Sequence, residues 1–162
     1  MTVSVELIRS LLREEAGRLF WIVARSNRIR VGDQAGSLGF NGYWYVNVGG
    51  HRLLVHRVVW LLRTGAWPES NLDHIDGDIW NNRFDNLRLA SASQNGANSR
   101  TPVTNRSGAK GVSWNARLGK WHAYIGVRRK RLHLGFFEDF DAASAAYRTA
   151  AIKHHGEFAR AA

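Results

Sequence analysis

The stretch that decides the fold lies in the middle of the chain. It reads Leu72-Asp73-His74-Ile75-Asp76-Gly77-Asp78, then Asn82-Arg83-Phe84-Asp85-Asn86-Leu87-Arg88-Leu89-Ala90-Ser91, and then Gln94-Asn95. Asn86 follows His74 by 12 residues, and Asn95 follows Asn86 by 9. One short supersecondary unit therefore contains a carboxylate beside an imidazole, and two side-chain amides.

This combination of side chains is suited to the hydrolysis of a phosphodiester bond. The attacking water must lose a proton near neutral pH, and imidazole is the side chain whose ordinary pKa matches that task. Charge on the phosphate and on the departing oxygen needs a hard cation, and carboxylate and amide oxygens are suitable ligands for Mg²⁺. Each residue alone has a simpler explanation, because aspartate and asparagine form turns and an asparagine can lie on a helix surface. The ordered set favours a metal-dependent hydrolase.

The ordered set resembles the HNH (ββα-metal, or His-Me finger) endonucleases, most closely the phage and homing-type branch whose last motif position is Asn instead of His. The matching text is Asp73-His74, Asn86 and Asn95, extended upstream by His56-Arg57 and Trp67-Pro68-Glu69 over about residues 43–99. The resemblance implies a strand with the Asp-His pair, a loop and second strand with the middle Asn, and a helix with the last ligand. Ser91 and Gln94 have the spacing of a capping box, which predicts that this helix begins at about Ala92.

The resemblance also implies a role for each motif residue. His74 is the expected general base on water, with its ring held by the Asn86 amide or by a backbone carbonyl. Asp73 and Asn95 are the expected ligands of one divalent cation. Because an amide oxygen is a harder and weaker ligand than imidazole, Mg²⁺ or Mn²⁺ is favoured over Zn²⁺.

Further residues are candidates for supporting roles. Asn82 is expected to stabilise the loop, and Asp76 and Asp78 are weaker candidates for metal ligands. Two interpretations of His56 stay open. It binds a phosphate or supports the metal site, or it makes an ordinary structural hydrogen bond.

The composition indicates what the chain binds. Its 162 residues carry a net charge of +10, and this basicity favours a polyanion, with double-stranded DNA as the expected partner. A cationic membrane-surface protein is disfavoured because no long basic amphipathic helix occurs. The absence of cysteine excludes disulfides and thiolate zinc sites and fits a reducing compartment. With no long apolar run and no signal-peptide core, we expect a soluble, cytoplasmic protein of a bacterial or phage-infected cell. We also expect a monomer rather than a dimer, without an obligate protein partner.

The text before the central stretch predicts further elements. Apolar residues at helical spacing predict an amphipathic helix over about 1–17, followed by a strand over 19–23. Gly49-Gly50 between two strand-like runs predicts a hairpin turn. The apolar stretch 56–63 predicts a helix that ends at Gly65.

The C-terminal third is expected to be a separate module. The polar, aperiodic segment 100–107 predicts a linker between a nuclease domain at 1–99 and a second domain at 108–162. Residues 100–162 contain 12 Lys and Arg against 4 Asp and Glu, a net +8, which leaves +2 for the rest. The C-terminal module is therefore expected to supply most of the attraction for DNA.

Alternating residues predict the fold of this module. Strands are expected over 110–115, 120–127 and 131–136, followed by a helix over 142–155 that Asp141 caps and Gly156 ends. The expected fold class is α+β: a ββα-metal nuclease module followed by a three-stranded antiparallel sheet packed on one helix.

This module resembles the ethylene-response-factor (ERF) type of DNA-binding domain over about residues 106–159. The matching text includes Gly119-Lys120-Trp121-His122-Ala123-Tyr124-Ile125, Leu134-Gly135-Phe136-Phe137 and Gly156-Glu157-Phe158. The resemblance implies DNA contacts from the outward face of the sheet, by Ser113, Asn115, Arg117, Lys120, His122, Tyr124, Arg131 and His133. Gly126 and His133 stand where plant members have Arg and Trp, so a plant target sequence does not transfer. The alternative is a basic, solvated sheet that binds no DNA.

The sequence as a whole predicts a DNA endonuclease with one divalent cation, in which the C-terminal sheet supplies most of the DNA affinity. A second hypothesis is a DNA-binding regulator that retains only the HNH fold, and the four intact motif residues argue against it. A third is a module that binds or cleaves RNA. Basicity alone does not separate DNA from RNA.

Overall fold

The structure is a computed structural model that describes residues 3–99, 101, 105–128 and 130–160. The fold is α+β, with several small antiparallel sheets, as predicted. Backbone contacts divide the chain into two compact units, Met1–Leu89 and Ala90–Ala162. In the described part of the chain, none of the helices is both long and apolar enough to cross a membrane.

The described part of the first unit contains two α-helices and three small sheets. Its elements are α1 (Val5–Leu11), β1 (Leu12–Glu15), β2 (Arg18–Trp21), β3 (Gln34–Ala35), β4 (Ser37–Leu38), β5 (Trp44–Val48), β6 (His51–Leu54), α2 (Val55–Thr64), β7 (Asn71–His74), a 3₁₀ turn at Phe84–Asn86, and β8 (Leu87–Ala90), which reaches the unit boundary. The sheets have the orders β1-β2-β3, β4-β5-β6 and β7-β8.

Helix α2 forms the centre of this unit. Val58, Val59 and Leu61 are fully buried, and they pack with residues of α1 and of the first two sheets in one core. Burial of each such side chain contributes about 1.5–3 kcal/mol. The helix ends at Gly65, whose left-handed backbone (φ +82°) lets its N–H bond the Leu61 carbonyl at 2.8 Å. This helix and its end are as predicted.

The hairpin prediction is also confirmed, whereas the N-terminal helix is shorter than predicted. Gly49 and Gly50 both have positive φ and connect β5 to β6. The predicted helix over 1–17 ends at Leu11, because Leu12 pairs with Trp21 across an antiparallel hairpin. Leu12 is buried from a strand instead of from a helix, and apolar spacing alone does not distinguish the two.

The second unit contains the predicted three-stranded sheet packed on a helix. Its elements are α3 (Ala92–Asn98), β9 (Val112–Asn115), β10 (Lys120–Val127), β11 (Lys130–Phe137), α4 (Phe140–His155) and a 3₁₀ turn at Gly156–Phe158. The strands are antiparallel in the order β11-β10-β9. Ala123 and Ile125 pack with Ala143 and Tyr147 in the core between sheet and helix.

The ends of α4 and its packing on the sheet can be compared with the prediction. Asp139, and not Asp141, caps the helix, because its side chain accepts the Ala142 N–H at 2.8 Å. Gly156 ends the helix as predicted. The sheet and helix approach so closely that a Cβ at Gly111 would lie 2.2 Å from the Tyr147 ring.

Helix α3 is attached to the second unit at its C-terminal end. The Lys110 ammonium donates to the carbonyl oxygens of Gly96, Ala97 and Ser99 at 2.9, 2.6 and 2.8 Å. The last carbonyls of a helix lack partners in the helical hydrogen-bond pattern, so a cation there stabilises the helix end. Burial, and then the charge of Arg160, lower the pKa of Lys110.

The predicted linker lies between α3 and β9. Within 100–107, residue 100 and residues 102–104 lie outside the described residues. The domain limits at 99 and 108 stay a prediction.

Candidate active site

Strand β7 brings the Asp-His pair into the interior of the first unit. Leu72, Asp73 and His74 are consecutive and are 6, 4 and 5% exposed. The chain that leads into the strand is held by Arg57 of α2, whose guanidinium donates to the Pro68 and Ser70 carbonyls at 3.2 and 3.3 Å. A buried carboxylate and imidazole side by side need polar partners, which the next segments supply.

Arg88 on β8 is one partner of Asp73. Its Nε and one terminal guanidinium nitrogen both lie 2.9 Å from Asp73 Oδ2. Both side chains are largely buried, so the guanidinium offsets the negative charge and fixes the carboxylate. A carboxylate has two oxygens and about four lone-pair sites, so an ion pair and a cation can share it.

Asn82 holds the His74 ring. His74 Nε2 and Asn82 Oδ1 are 3.0 Å apart, and both residues are buried. With an amide oxygen as acceptor, Nε2 carries the hydrogen and the basic lone pair lies on Nδ1. The prediction gave this position to Asn86 or a backbone carbonyl, and the structure places Asn82 there.

Asn86 instead ties together the loop between β7 and β8. Its Nδ2 donates to Asp76 Oδ1 at 2.9 Å and to the Asn81 carbonyl at 2.8 Å, while its Oδ1 accepts the Asp76 N–H at 3.1 Å. Asn86 and Asn82 have therefore exchanged the predicted positions. Asn82, which was predicted to stabilise the loop, contacts the His74 imidazole, and Asn86 stabilises the loop.

The weaker ligand candidates Asp76 and Asp78 are used within the same loop. Asp76 accepts hydrogen bonds from the Asp78 N–H and from the Asn81 and Asn86 amides. Burial raises the pKa of Asp76, but these hydrogen bonds lower it, the one from the Asn81 side chain most strongly. The pKa of Asp76 therefore lies below its usual value. Asp78 accepts the Trp80 N–H at 3.0 Å. Both carboxylates thus shape the loop.

His56 at the start of α2 packs against the catalytic candidate. Its ring lies 5.2 Å from the His74 ring and 5.6 Å from the Tyr43 ring, between centroids. Burial, and then the charges of His74 and Arg57, lower the pKa of His56 to about 3. A neutral, buried ring cannot attract a phosphate by charge, which argues against phosphate binding by His56.

The low pKa of His56 predicts acid sensitivity. Because the folded value is near 3 and the unfolded value near 6.5, the folded chain binds fewer protons between these pH values, and stability falls as pH falls. From pH 7 to pH 5 the expected loss from this group is about 2 kcal/mol in the free energy of unfolding. Urea unfolding at both pH values measures it. In His56→Phe the fall in the free energy of unfolding between pH 7 and pH 5 should be smaller by about 2 kcal/mol. The same fall in both proteins would contradict the assignment of this acid sensitivity to His56.

Asn95 lies in α3, which begins with the predicted capping box. Ser91 Oγ accepts the Gln94 N–H, and Gln94 Oε1 accepts the Ser91 N–H at 2.8 Å. Asn95 is the fourth residue of the helix, is partly exposed, and belongs to the second unit.

The chemistry of the two predicted ligands suits a hard cation. Among the described residues, no three His, Cys, Asp or Glu side chains are grouped for metal binding. In the first unit, Asp73 is a buried carboxylate with its charge offset by Arg88. The predicted second ligand, Asn95 of the second unit, has a neutral amide oxygen. One carboxylate, one amide and water are the oxygen ligands that Mg²⁺ accepts.

The outward face of the C-terminal sheet carries a cluster of aromatic and basic side chains. His122 Nε2 lies 2.9 Å from His133 Nδ1, the Tyr124 ring lies 5.3 Å from His122, and the Arg131 guanidinium lies 4.3 Å above Tyr124. Burial, and then the charges of His133 and Arg131, lower the pKa of His122. Near neutral pH this histidine therefore offers a neutral ring to a partner.

The other predicted contact residues lie on or beside the same sheet. Ser113 pairs with His122, and Asn115 pairs with Lys120. The Asn115 side chain accepts the Leu118 N–H and so shapes the turn that contains Arg117. Lys120 forms an exposed ion pair with Glu138 at 3.4 Å.

A β-bulge adds Phe136 to this face. The register of β10 and β11 shifts between Ala123 and Tyr124, so that Phe136 pairs with His122 and its ring lies 4.9 Å from the rings of His122 and His133. Simple alternation from Leu132 would have placed Phe136 on the inner face. Gly135, with φ +136°, is the sequence signal that could have indicated the irregularity.

Comparisons with known proteins show the family of the chain. The family pattern of HNH endonucleases matches residues 53–97, from β6 to α3. The chain is also 36% identical over 106 residues to protein 3.8 of Escherichia phage T7, an alignment that covers 65% of this chain and 87% of the phage protein. The matched region contains His56, Asp73, His74, Asn82, Asn86, Arg88 and Asn95. The chain therefore belongs to the HNH endonuclease family.

Proposed function

We propose that the protein is a metal-dependent DNA endonuclease in which His74 is the general base. The observation that carries the proposal is the buried Asp73-His74 pair, with the imidazole held by Asn82 at 3.0 Å. A base must be held in one tautomer and one orientation to accept a proton from water in the transition state. The Asn82 contact supplies that restraint.

The proton would move to His74 Nδ1. As water attacks the phosphorus and the bond from phosphorus to the departing oxygen breaks, Nδ1 would accept the proton of the water and the ring would become an imidazolium. The Nε2–H bond to Asn82 Oδ1 then becomes charge-assisted and strengthens as the charge develops. His56 lies beside this ring as a neutral neighbour, so it adds no positive charge that would oppose the proton transfer.

Asp73 and Asn95 would hold the divalent cation, Mg²⁺ or Mn²⁺. When bound, such a cation polarises the phosphate and stabilises charge on the departing oxygen. Arg88 fixes the Asp73 carboxylate through Oδ2. The Lys110 ammonium fixes the end of the helix on which Asn95 lies.

DNA would be bound largely by the outward face of the C-terminal sheet, as in an ERF-type domain. The support is the cluster of His122, Tyr124, Arg131 and His133 on one face of a module with most of the net positive charge. Basic side chains displace counterions from the DNA, and stacked rings can contact bases or sugars. Sequence recognition would come from the same face.

Arg131→Ala tests the DNA face. Loss of one phosphate contact should weaken binding of a random duplex and reduce the slope of log affinity against log salt by about 1. Gel-shift titrations at several salt concentrations measure both. Arg148→Ala on α4 is the matched control, since it removes an equally charged, exposed residue away from this face. If Arg148→Ala had the larger effect, the assignment of the face would be wrong.

Asn82→Ala tests the orientation of the base. We expect a fall of about 10–100-fold in the cleavage rate, the usual effect of removing a partner that orients a functional histidine. Asn82→Asp keeps an oxygen acceptor for the Nε2 hydrogen and should retain more activity than Asn82→Ala. Equal losses of activity in the two folded variants would show that cleavage does not depend on an oxygen acceptor for the His74 Nε2 hydrogen.

The proposed function is tested by incubation of supercoiled plasmid and of phage genomic DNA with the protein in Mg²⁺, in Mn²⁺ and in EDTA. Nicked or linear products in either metal and none in EDTA are expected. Tight binding without cleavage of either DNA would favour a DNA-binding regulator. Parallel reactions with RNA show which nucleic acid is cleaved.

A further inference from the structure

A recess in the first unit is lined in part by Asn82, the residue that contacts His74. Its volume is about 270 Å³. Apolar residues of the core form part of it, and the chemically distinctive lining residues are Arg18, Gln34, Trp44, Trp80 and Asn82. Two indoles, two amides and a guanidinium thus surround one small space.

The Asn82 side chain connects this recess to the catalytic candidate. Asn82 is 5% exposed, and its Oδ1 faces His74 Nε2. Among the described residues, none accepts a hydrogen bond from Asn82 Nδ2. An amide N–H that lines a recess without a protein acceptor is available to an acceptor atom of a ligand there.

Trp80 is exposed but held in place. Its side chain is 63% exposed, although a free indole of this size is usually more buried. Its Nε1 donates to the Gly42 carbonyl at 2.9 Å, and its backbone N–H bonds Asp78. Gly42 precedes Tyr43, whose ring lies 6.4 Å from the His74 ring. A fixed, solvent-facing indole is therefore bonded to the residue that precedes Tyr43.

The shape of the recess is maintained by close backbone packing. Gly17, in the turn between β1 and β2, lies against the Asn82-Arg83 backbone, where a Cβ would be 2.5 Å from the Arg83 nitrogen. Glu14 accepts the Gly17 N–H at 2.8 Å and fixes the turn. The wall that contains Arg18 is thus held at a set distance from Asn82.

We propose that this recess binds one nucleobase that has left the stack of the substrate strand beside the bond to be cleaved. The inference rests on the proposed function, since it needs DNA at His74. A planar base suits an indole face, and every base edge carries acceptors for the amide and guanidinium donors. Base binding at Asn82 would place the neighbouring phosphate near His74 and would make cleavage depend on local DNA distortion.

The test combines protein and DNA changes in one cycle. Wild-type protein first maps a cleavage site in DNA. Duplexes are then made with an abasic residue at each position flanking the cut, and single-turnover rates are measured for wild type, Trp80→Ala and Trp80→Phe. At one position, base removal should slow the wild type about 10-fold, and Trp80→Ala should slow the intact duplex about as much, by loss of one stacked base.

The decisive result is whether the two losses combine. If the base binds beside Trp80, Trp80→Ala should lose little more on the abasic duplex at that position, whereas Trp80→Phe should keep most of the wild-type rate. Phe40→Ala, an exposed aromatic on the neighbouring hairpin that does not line the recess, should cleave normally.

Two outcomes overturn the inference while the nuclease function stands. In the first, the rate losses from Trp80→Ala and from base removal multiply at every abasic position. In the second, Trp80→Ala cleaves the intact duplex at the wild-type rate. If wild type cleaves no DNA with any divalent metal, the proposed function itself fails.

Discussion

Replacement of His74 by Ala should lower the cleavage rate by about 10²–10⁴-fold, the usual contribution of a positioned general base. The imidazole is buried on β7 and held by Asn82, so its loss removes the proton acceptor without exposing a large surface. Binding to DNA should change little, because most of the positive charge lies in the second unit. Single-turnover cleavage and gel-shift binding of the same duplex separate the two effects.

His51→Ala is the matched control for this change, since His51 is an exposed histidine on β6 in the same unit. It should cleave at the wild-type rate. Retention of full activity by His74→Ala would rule out His74 as the base. Equal losses in both variants would point to general damage to the unit.

Replacement of Asp73 should produce the second large effect, on both cleavage and stability. Asp73→Asn removes the charged oxygen ligand while keeping the shape, and we expect about 10²–10³-fold slower cleavage from the loss of several kcal/mol of charge stabilisation. Asp73→Ala also leaves the Arg88 guanidinium without this carboxylate. Because breaking a buried ion pair costs about 3–5 kcal/mol, Asp73→Ala should unfold at clearly lower urea concentration.

Asp85→Asn is the control for the carboxylate. Asp85 is exposed and pairs with Arg83 at 3.3 Å on the surface, where ion pairs contribute little. Its removal should leave both the rate and the unfolding midpoint unchanged. If Asp73→Asn kept the wild-type rate at low Mg²⁺, Asp73 would not be a ligand.

Much of the fold could be predicted because its signals are local. Gly49-Gly50 and Gly65 mark their turn and helix end by the backbone freedom of glycine, and Ser91 with Gln94 marks the start of α3 by two reciprocal hydrogen bonds. Such features depend on residues within a few positions of one another. The alternation in β10 is likewise local, and its alternate residues Ala123 and Ile125 face α4.

The exchange of Asn82 and Asn86 could not be predicted in this way. Both asparagines lie in the same turn-rich segment, and which one meets His74 depends on the path of the loop. That path is set by the hydrogen bonds of Asn86 with Asp76 and Asn81, which only exist once the loop has closed. Side chains of one chemical type at neighbouring positions are equivalent in sequence and distinct in space.

Long-range packing explains the remaining differences. Asp139 and Asp141 stand two positions apart at the start of α4, and Asp139 is the cap because the helix includes Phe140, which packs on the sheet. Phe136 reaches the outer face because the bulge shifts the strand by one residue. The role of Arg88 as the partner of Asp73 depends on the pairing of β7 with β8.

The dependence of cleavage on Mg²⁺ concentration tests the central claim most directly. The rate of cleavage of a duplex with a mapped site would be measured from EDTA through increasing Mg²⁺, for wild type and for Asn95→Ala. We predict no cleavage in EDTA, a saturating one-site dependence for wild type, and a shift to higher Mg²⁺ for Asn95→Ala. Cleavage that is indifferent to EDTA, or that is the same in both proteins at every Mg²⁺ concentration, would contradict a single cation held by Asp73 and Asn95.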